Sequence, residues 1–138
     1  MFDIKENSLN ITDYRYLRNS VNWKVLSDQQ LKLALERSIV TFCAYDNGKP
    51  IGMGRIVGDG AVICYIQELV VHPQYQGHGI GKALMKKLID YVENLRLDNT
   101  EMMLCLMCAK GRERFYEHCG FTARPTENLG PGMIMYLK

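Results

Sequence analysis

The chain has 138 residues, of which 47% are hydrophobic and 23% are charged, a balance typical of globular proteins. This composition excludes a disordered chain, a collagen-like repeat and a disulfide-rich miniprotein, and the length predicts a single domain over residues 1–138. The formal net charge of +2 is too small to indicate a nucleic-acid or membrane partner, so neither is expected.

The amino-terminal residues Met1–Glu6 have neither the basic start nor the apolar stretch of a secretory signal, which predicts a cytoplasmic protein. The longest fully apolar run, Met102–Ala109, is far shorter than the ~20 residues of a membrane-spanning helix. The five cysteines are expected to be reduced thiols that act as small core residues. Cys105 and Cys108 form a C-x-x-C pair, but no second ligand pair exists, so no metal site is predicted.

The first half of the chain is predicted to contain a strand, two helices and two β-hairpins. A strand is expected at Phe2–Lys5, and a helix after a Thr12 cap. A second helix follows a capping box at Ser27–Gln30. The dipeptide Asn47-Gly48 favours a tight hairpin turn. The strands predicted around the two hairpins are Ile39–Tyr45, Ile51–Val57 and Ala61–Val71.

The second half opens with the clearest helix of the sequence, whose apolar stripe runs from Ile80 to Leu95. A buried strand is predicted at Met102–Cys108, and a short helix at Arg112–Cys119, where Gly120 ends it. A closing strand is predicted at Met133–Leu137. This order of elements predicts a mixed-sheet α/β domain.

A glycine-rich turn joins the last hairpin strand to the long helix. Three glycines in five positions, at 77, 79 and 81, allow a ligand to approach backbone N–H groups at the start of a helix, where an anion is stabilised. A dinucleotide-binding fingerprint would need glycine at Lys82, and a P-loop would need glycine at Gln76 and Ser or Thr at Ala83. The pattern that remains is Gln76-x-x-Gly79-x-Gly81.

Preceded by Leu69–Pro73, this pattern resembles the acetyl-CoA-binding motif of the GNAT superfamily of N-acetyltransferases. The segment Phe115–Phe121 resembles the F-Y-x-x-x-G-F segment of the same family. The resemblance implies the GNAT fold, a mixed and mostly antiparallel twisted sheet of about six to seven strands flanked by about four helices. It also implies an enzyme that moves an acetyl group from acetyl-CoA to a primary amine by direct attack, without a covalent acyl-enzyme.

The resemblance assigns cofactor contacts and a general acid. The strand before the turn would pair its bulged backbone with the pantetheine arm, and Tyr116 would protonate the departing thiolate. The backbone of the turn would bind the pyrophosphate. The residues implied are Leu69, Val70 and Val71 for pantetheine, and Gln76, Gly77, His78, Gly79, Ile80, Gly81 and Lys82 for the pyrophosphate.

The general base is predicted to be Glu68, because a carboxylate is unusual in the apolar stretch Tyr65–Val71. A satisfied structural carboxylate, a water chain, His72 and His118 are the alternatives. The acceptor is expected near the first two helices and the loop Leu129–Gly132. The predicted lining residues are Tyr14, Tyr16 and Trp23, of which Trp23 is equally well explained as core.

Two other functions remain open from the sequence. The chain could be a non-catalytic CoA-binding regulatory module, or an acetyltransferase that modifies a protein lysine or amino terminus. The acceptor is therefore predicted as a small-molecule amine or a peptide. Homodimers are common in the GNAT family, so the resemblance also implies that a homodimer can form.

Overall fold

A computed structural model describes residues 1–138, and its helices and strands follow the predicted order as far as the last helix. Contacts divide the chain into two compact units, residues 1–105 and residues 106–138. The elements are β1 (Asp3–Glu6), α1 (Ile11–Ser20), α2 (Asp28–Glu36), β2 (Val40–Asp46), β3 (Lys49–Gly58), β4 (Ile63–Val71), a 3-10 turn (Pro73–Tyr75), α3 (Ile80–Leu95), β5 (Met103–Leu106) and α4 (Glu113–His118). No helix is both long and apolar enough to span a membrane.

The strands form one sheet in the order β1-β2-β3-β4-β5. The first four are joined as antiparallel neighbours, and β5 lies next to β4 after the α3 crossover, which makes the sheet mixed. The predicted mixed α/β class and the four helices are confirmed. The strand count is five, which is lower than the predicted six to seven.

Local signals in the sequence account for two of the observed features. Asn47 and Gly48 both have positive φ, 49° and 80°, as a type I′ hairpin turn requires. The α2 capping box is also present. Ser27 Oγ accepts a hydrogen bond from the Gln30 backbone N–H at 3.1 Å, and Gln30 Oε1 accepts one from the Ser27 backbone N–H at 3.0 Å.

The start of α1 differs from the prediction of a Thr12 cap. Asn10 is the N-cap, and its side-chain oxygen accepts a hydrogen bond from the Asp13 N–H at 2.8 Å. Thr12 lies inside the first turn. Asparagine is at least as good an N-cap as threonine, and capping from Asn10 lets the helix begin at Ile11.

The helices pack on opposite faces of β3. Met53 is fully buried in a cluster with Tyr14 and Leu17 of α1. Residues at alternate positions of a strand point to opposite faces, so the neighbouring Gly52 and Gly54 face α3. A Cβ atom at Gly54 would lie 2.6 Å from Leu88 Cδ1, so glycine is what lets α3 lie this close to the strand.

In the unit of residues 106–138, α4 ends as predicted at Gly120, which has φ 103° and donates its N–H to the Glu117 carbonyl. The closing strand predicted at Met133–Leu137 is wrong, since this segment is irregular. A strand needs a neighbour for its backbone groups, and the side chains of this segment are 64–88% exposed. Its loss accounts for part of the lower strand count.

Candidate active site

The turn between β4 and α3 is built around two glycines in the left-handed region. Gly77 has φ 83° and Gly79 has φ 81°, and a Cβ at either position would meet no protein atom within 4 Å. The Gln76 side chain donates a hydrogen bond to the Val71 carbonyl at 3.0 Å, which ties the turn to the end of β4. The turn therefore has a defined backbone path and an open outer surface.

The start of α3 carries positive potential that no side chain of its own first turn offsets. Its N-cap is Gly79, which has no side chain to accept a hydrogen bond, and the first turn has no acidic residue. The N–H groups of Ile80, Gly81 and Lys82 are the first of the helix and have no carbonyl partner within it. Together with the helix dipole, they provide the donors that a phosphate needs.

Strand β4 contains a β-bulge immediately before the residues predicted to face pantetheine. Arg55 of β3 pairs with Glu68, and the next residue, Ile56, pairs with Ile66, so Gln67 is the extra residue. A bulge re-aims the backbone and the side chains that follow it. After the bulge, Val70 is buried, whereas Leu69 and Val71 are half-buried. Leu69 and Val71 therefore have exposed surface that a ligand could contact.

Glu68 lies at the centre of a buried ion-pair network. It is 2% exposed. One carboxylate oxygen accepts hydrogen bonds from the Tyr14 hydroxyl and from Arg55 Nε, the latter at 2.8 Å. The other oxygen accepts one from Arg18 Nη1. The carboxylate thus joins α1, β3 and β4, and three of its roughly four acceptor positions are occupied by donors of the protein.

The network also fixes Tyr14 and Arg18 on α1. Burial, with the Glu68 charge and hydrogen bond, raises the pKa of Tyr14, so this phenol remains a donor to the carboxylate. Arg18 donates to the Lys24 carbonyl at 2.9 Å and lies over the Trp23 ring at 5.4 Å, whereas its Nε is buried without a partner. The segment after α1 is therefore held to the same network.

The three predicted lining residues have different environments. Tyr14 is fully buried, and its hydroxyl donates a hydrogen bond to Glu68. Trp23 is half-buried against the cluster of α1 and α2, in agreement with the core interpretation. Tyr16 is 37% exposed and stacks on His72 with ring centroids 5.6 Å apart, and Tyr75 meets the same imidazole edge-on. Of the three, only Tyr16 is exposed.

Sequence reasoning missed both arginines that bind Glu68. A usable signal was present, because Arg55 is the single charged residue in the predicted strand Ile51–Val57. Opposite charges in adjacent apolar strands favour a cross-strand pair, and Arg55 and Glu68 are direct partners in the observed register. Arg18 gave no such signal, since one arginine on an amphipathic helix is usually solvated.

Tyr116 lies on α4, in the unit of residues 106–138. Its ring contacts Phe115 and Phe121 edge-on, with centroids 5.1 and 6.1 Å away. Burial raises the pKa of the Tyr116 phenol, and the charges of Cys108 and Cys119 add to the rise. The phenol therefore holds its proton at neutral pH, as a general acid must.

None of the five cysteines forms a disulfide, and their environments differ. Cys43 and Cys64 are buried, as expected of core thiols, whereas Cys108 is exposed and does not belong to a core. No group of three or more His, Cys, Asp or Glu side chains is placed to hold a metal ion.

Comparison with known proteins identifies the family. Residues 8–121 match the model of the acetyltransferase (GNAT) family, and the chain belongs to that family. It is 31% identical over 121 residues to an uncharacterized N-acetyltransferase ycf52 of Gracilaria tenuistipitata var. liui. It is 37% identical over 90 residues to a chloroplastic GCN5-related N-acetyltransferase 2 of Arabidopsis thaliana.

The matched regions are 85% and 65% of this chain, but 64% of the Gracilaria protein and 33% of the Arabidopsis protein. Among solved structures, a probable acetyltransferase of Staphylococcus aureus superposes with a TM-score of 0.87 at 26% identity, over 99% of this chain and 100% of the other. A GNAT family acetyltransferase of Streptococcus pneumoniae gives 0.84 at 29% identity, over 100% and 99%.

Proposed function

We propose that this chain is an acetyl-CoA-dependent N-acetyltransferase that acts on a primary amine. The observation that carries the proposal is the open, uncapped start of α3 directly after a bulged β4. Family membership supports it, because both features coincide with the motif that resembles the GNAT cofactor site. No metal takes part in the proposed reaction.

In the proposed complex, the backbone amides of Gln76–Lys82 bind the pyrophosphate of acetyl-CoA. Leu69–Val71 pair their backbone with the pantetheine arm in the manner of an added strand. Two features support this division. A Cβ atom at Gly77 or Gly79 would have no protein atom within 4 Å, and the bulge at Gln67 changes the direction of β4 immediately before Leu69.

The proposed chemistry is direct transfer. The neutral amine nitrogen attacks the thioester carbonyl carbon and forms a tetrahedral intermediate. The intermediate collapses with cleavage of the carbon–sulfur bond, and the thiolate of CoA takes the proton of the Tyr116 hydroxyl. The amine loses its own proton, and the phenolate of Tyr116 is then reprotonated from solvent. Because burial raises the pKa of the Tyr116 phenol, the hydroxyl keeps its proton at neutral pH and has it available for this transfer.

For the amine proton, we favour a water chain over direct transfer to Glu68. Both oxygens of Glu68 already accept hydrogen bonds, and the side chain is nearly fully buried. Glu68 then acts as a positioning residue that holds Tyr14 and Arg18. The variant Glu68→Gln separates the two roles. If Glu68 is the direct base, this variant should lose the acidic limb of the kcat/KM pH profile. If Glu68 is a positioning residue, the limb should be unchanged.

The acceptor class is open within the family. Among relatives, a chloroplastic protein of Oryza sativa is named serotonin N-acetyltransferase 2, and a Glycine max protein is named histone acetyltransferase TAP1. The acceptor panel for this chain should therefore span both classes. It should contain arylalkylamines, aliphatic amines, a lysine peptide and a peptide with a free amino terminus. We propose that the reaction takes place in the cytoplasm.

The deciding experiment incubates the protein with acetyl-CoA and each amine, and follows CoA and acetylated product by mass spectrometry. A thiol-reactive dye is unsuitable, because the exposed Cys108 would react with it. We expect product from at least one class at a rate above acetyl-CoA hydrolysis. Acetyl-CoA binding with no product across the panel would instead support the regulatory module. Product from the peptides alone would identify a protein-modifying enzyme.

A further inference from the structure

Arg18 carries the one buried polar side-chain atom of the protein that has no hydrogen-bond partner, its Nε. The other two nitrogens of the guanidinium are paired, because Nη1 donates to Glu68 and Nη2 donates to the Lys24 carbonyl at 2.9 Å. Buried polar groups are nearly always paired, since leaving one unpaired costs free energy. The Arg18 Nε–H is therefore expected to take a partner from outside the chain, either water or a ligand.

The charges of the same network favour a negatively charged partner. Two guanidinium groups, those of Arg18 and Arg55, share the single carboxylate of Glu68, and the three side chains are 1–11% exposed. Neither arginine forms an ion pair with a second acidic residue. Positive charge thus exceeds negative charge by one where little water is present to screen it. An anion with one charge would offset this excess, whereas water would satisfy the N–H alone.

The geometry of a guanidinium group fits a carboxylate at this position. Nε–H and one N–H of Nη2 lie parallel on the same edge, and such a fork matches the two oxygens of a carboxylate. The Lys24 carbonyl has one oxygen, so it pairs with Nη2 and leaves Nε without a partner. Residues 21–27 join α1 to α2 without helix or strand, so a ligand could displace this carbonyl without breaking a regular element.

Arg18 also lies beside the residues that the proposed reaction uses. Glu68, which Arg18 binds, directly precedes Leu69–Val71, where the pantetheine arm would run. The guanidinium packs over the ring of Trp23, one of the predicted lining residues, at 5.4 Å. An acceptor held at Arg18 would therefore be close to the strand that carries the thioester end of the cofactor.

We propose that Arg18 binds a carboxylate of the acceptor, so that the substrates are amines that also carry a carboxylate. This inference rests on the proposed function, because it assigns a substrate class to the same site. Arg18 binds the substrate without exchanging a proton, since a guanidinium stays charged in proteins. Arg55 has no such opening, because its Nε is paired with Glu68 and its Nη1 with the Ala34 carbonyl and Ser38 Oγ.

The first experiment compares amino acids with their own carboxamides, which keep the amine and lose the negative charge. The pairs are β-alanine, γ-aminobutyrate and L-leucine with their amides, and kcat/KM is expressed per neutral amine. We expect the wild-type chain to prefer the acid in at least one pair. Arg18→Lys keeps a charge near Glu68 but removes the two-donor edge, so it should lower the acid-to-amide ratio about tenfold or more.

The matched control is Arg15→Lys, on the same helix. The Arg15 side chain is 37% exposed and pairs with Asp28, so this variant should keep the wild-type ratio. A ratio that is the same in the wild type and in Arg18→Lys would overturn the inference. Preference of the wild type for the amides, or acetylation of amines without a carboxylate alone, would overturn it as well.

A binding measurement separates this inference from the proposed function. If no amine of any class is acetylated, the proposed function fails, and calorimetry with N-acetyl-β-alanine and its amide, in the presence of CoA, still tests the carboxylate site. Tighter binding of the acid, lost in Arg18→Lys, would support the site, and equal binding would overturn it. If Arg18→Lys does not fold, the comparison of acid with amide in the wild type decides.

Discussion

At the scale of single residues, the proposed role of the Tyr116 hydroxyl predicts how turnover depends on pH. Because burial raises its pKa, the phenol is protonated through neutral pH, and its proton is lost only as the pH rises through that raised value. We expect Tyr116→Phe to lower kcat by about 10²–10⁴ and to alter the alkaline limb of the kcat pH profile. Affinity for CoA should not change.

The control for this variant is Tyr91→Phe, which removes the hydroxyl of a half-buried tyrosine whose ring packs on Phe42. Its turnover should match that of the wild type. A Tyr116→Phe enzyme with unaltered kinetics at every pH would remove Tyr116 from the mechanism.

A substitution at Gly79 tests whether the turn before α3 binds the cofactor. A methyl group at Gly79 would meet no protein atom, so its effects are limited to backbone strain at φ 81° and to obstruction of the ligand. We expect Gly79→Ala to weaken acetyl-CoA binding tenfold or more by calorimetry. Gly111→Ala introduces the same kind of strain at φ 91°, also in open space, and should bind normally. Equal affinities in the two variants would count against the turn as the binding site.

A substitution at Glu68 tests how much the buried ion-pair network contributes to stability. Removing one partner of a buried pair leaves the other charges unsatisfied, so Glu68→Ala should lower the free energy of unfolding by about 3–5 kcal/mol. Asp90→Ala removes the exposed partner of Lys86 and should cost less than about 1 kcal/mol. Urea denaturation measures both. A loss at Glu68 no greater than that at Asp90 would contradict the structural role.

Individual residues also show how far sequence reasoning extends. The glycine turn, the Ser27 cap and the Asn47-Gly48 turn were all predictable, because each depends on chemistry within a few residues. The partners of Glu68 were not, since Arg18 is 50 positions away and Tyr14 is 54. The side chains that a strand residue meets across the fold depend on packing, which periodicity alone does not reveal.

At the scale of elements, the contact between α3 and β3 depends on a glycine face. Gly54→Val would place branched carbons where Leu88 already packs, and overpacking of this kind costs about 1–3 kcal/mol. The control is Gly130→Val, at a position with no atom within 4 Å. We expect a lower denaturation midpoint for Gly54→Val alone. Equal midpoints would show that α3 can shift without loss of stability.

The segment Met133–Leu137 has the composition of a strand but is irregular in the structure. A strand, however, is defined by its pairing, and a single sequence does not state which edge a segment will occupy. Helix α3, in contrast, was predicted at both ends, because a helix satisfies its own backbone.

At the scale of the whole molecule, cofactor binding should appear as thermal stability. A ligand that binds only the folded state stabilises it by about 2.7 kcal/mol at a concentration one hundred times its Kd. We expect acetyl-CoA to raise the melting temperature of the wild-type chain in calorimetry, and to raise that of Gly79→Ala much less. Desulfo or dephosphorylated analogues would show which group contributes. No shift at saturating acetyl-CoA would contradict binding to the native fold.

The amino-terminal ends of α1, α2 and α3 are capped differently. Asn10 caps α1 and Ser27 caps α2, whereas the much longer α3 starts at a glycine that caps nothing. The first N–H groups of α3 therefore have no side-chain acceptor from the N-cap and are left to water or to a ligand. The pyrophosphate would then be the missing cap. Amide exchange at Ile80–Lys82 should slow when the ligand binds, before any acetyl group is transferred.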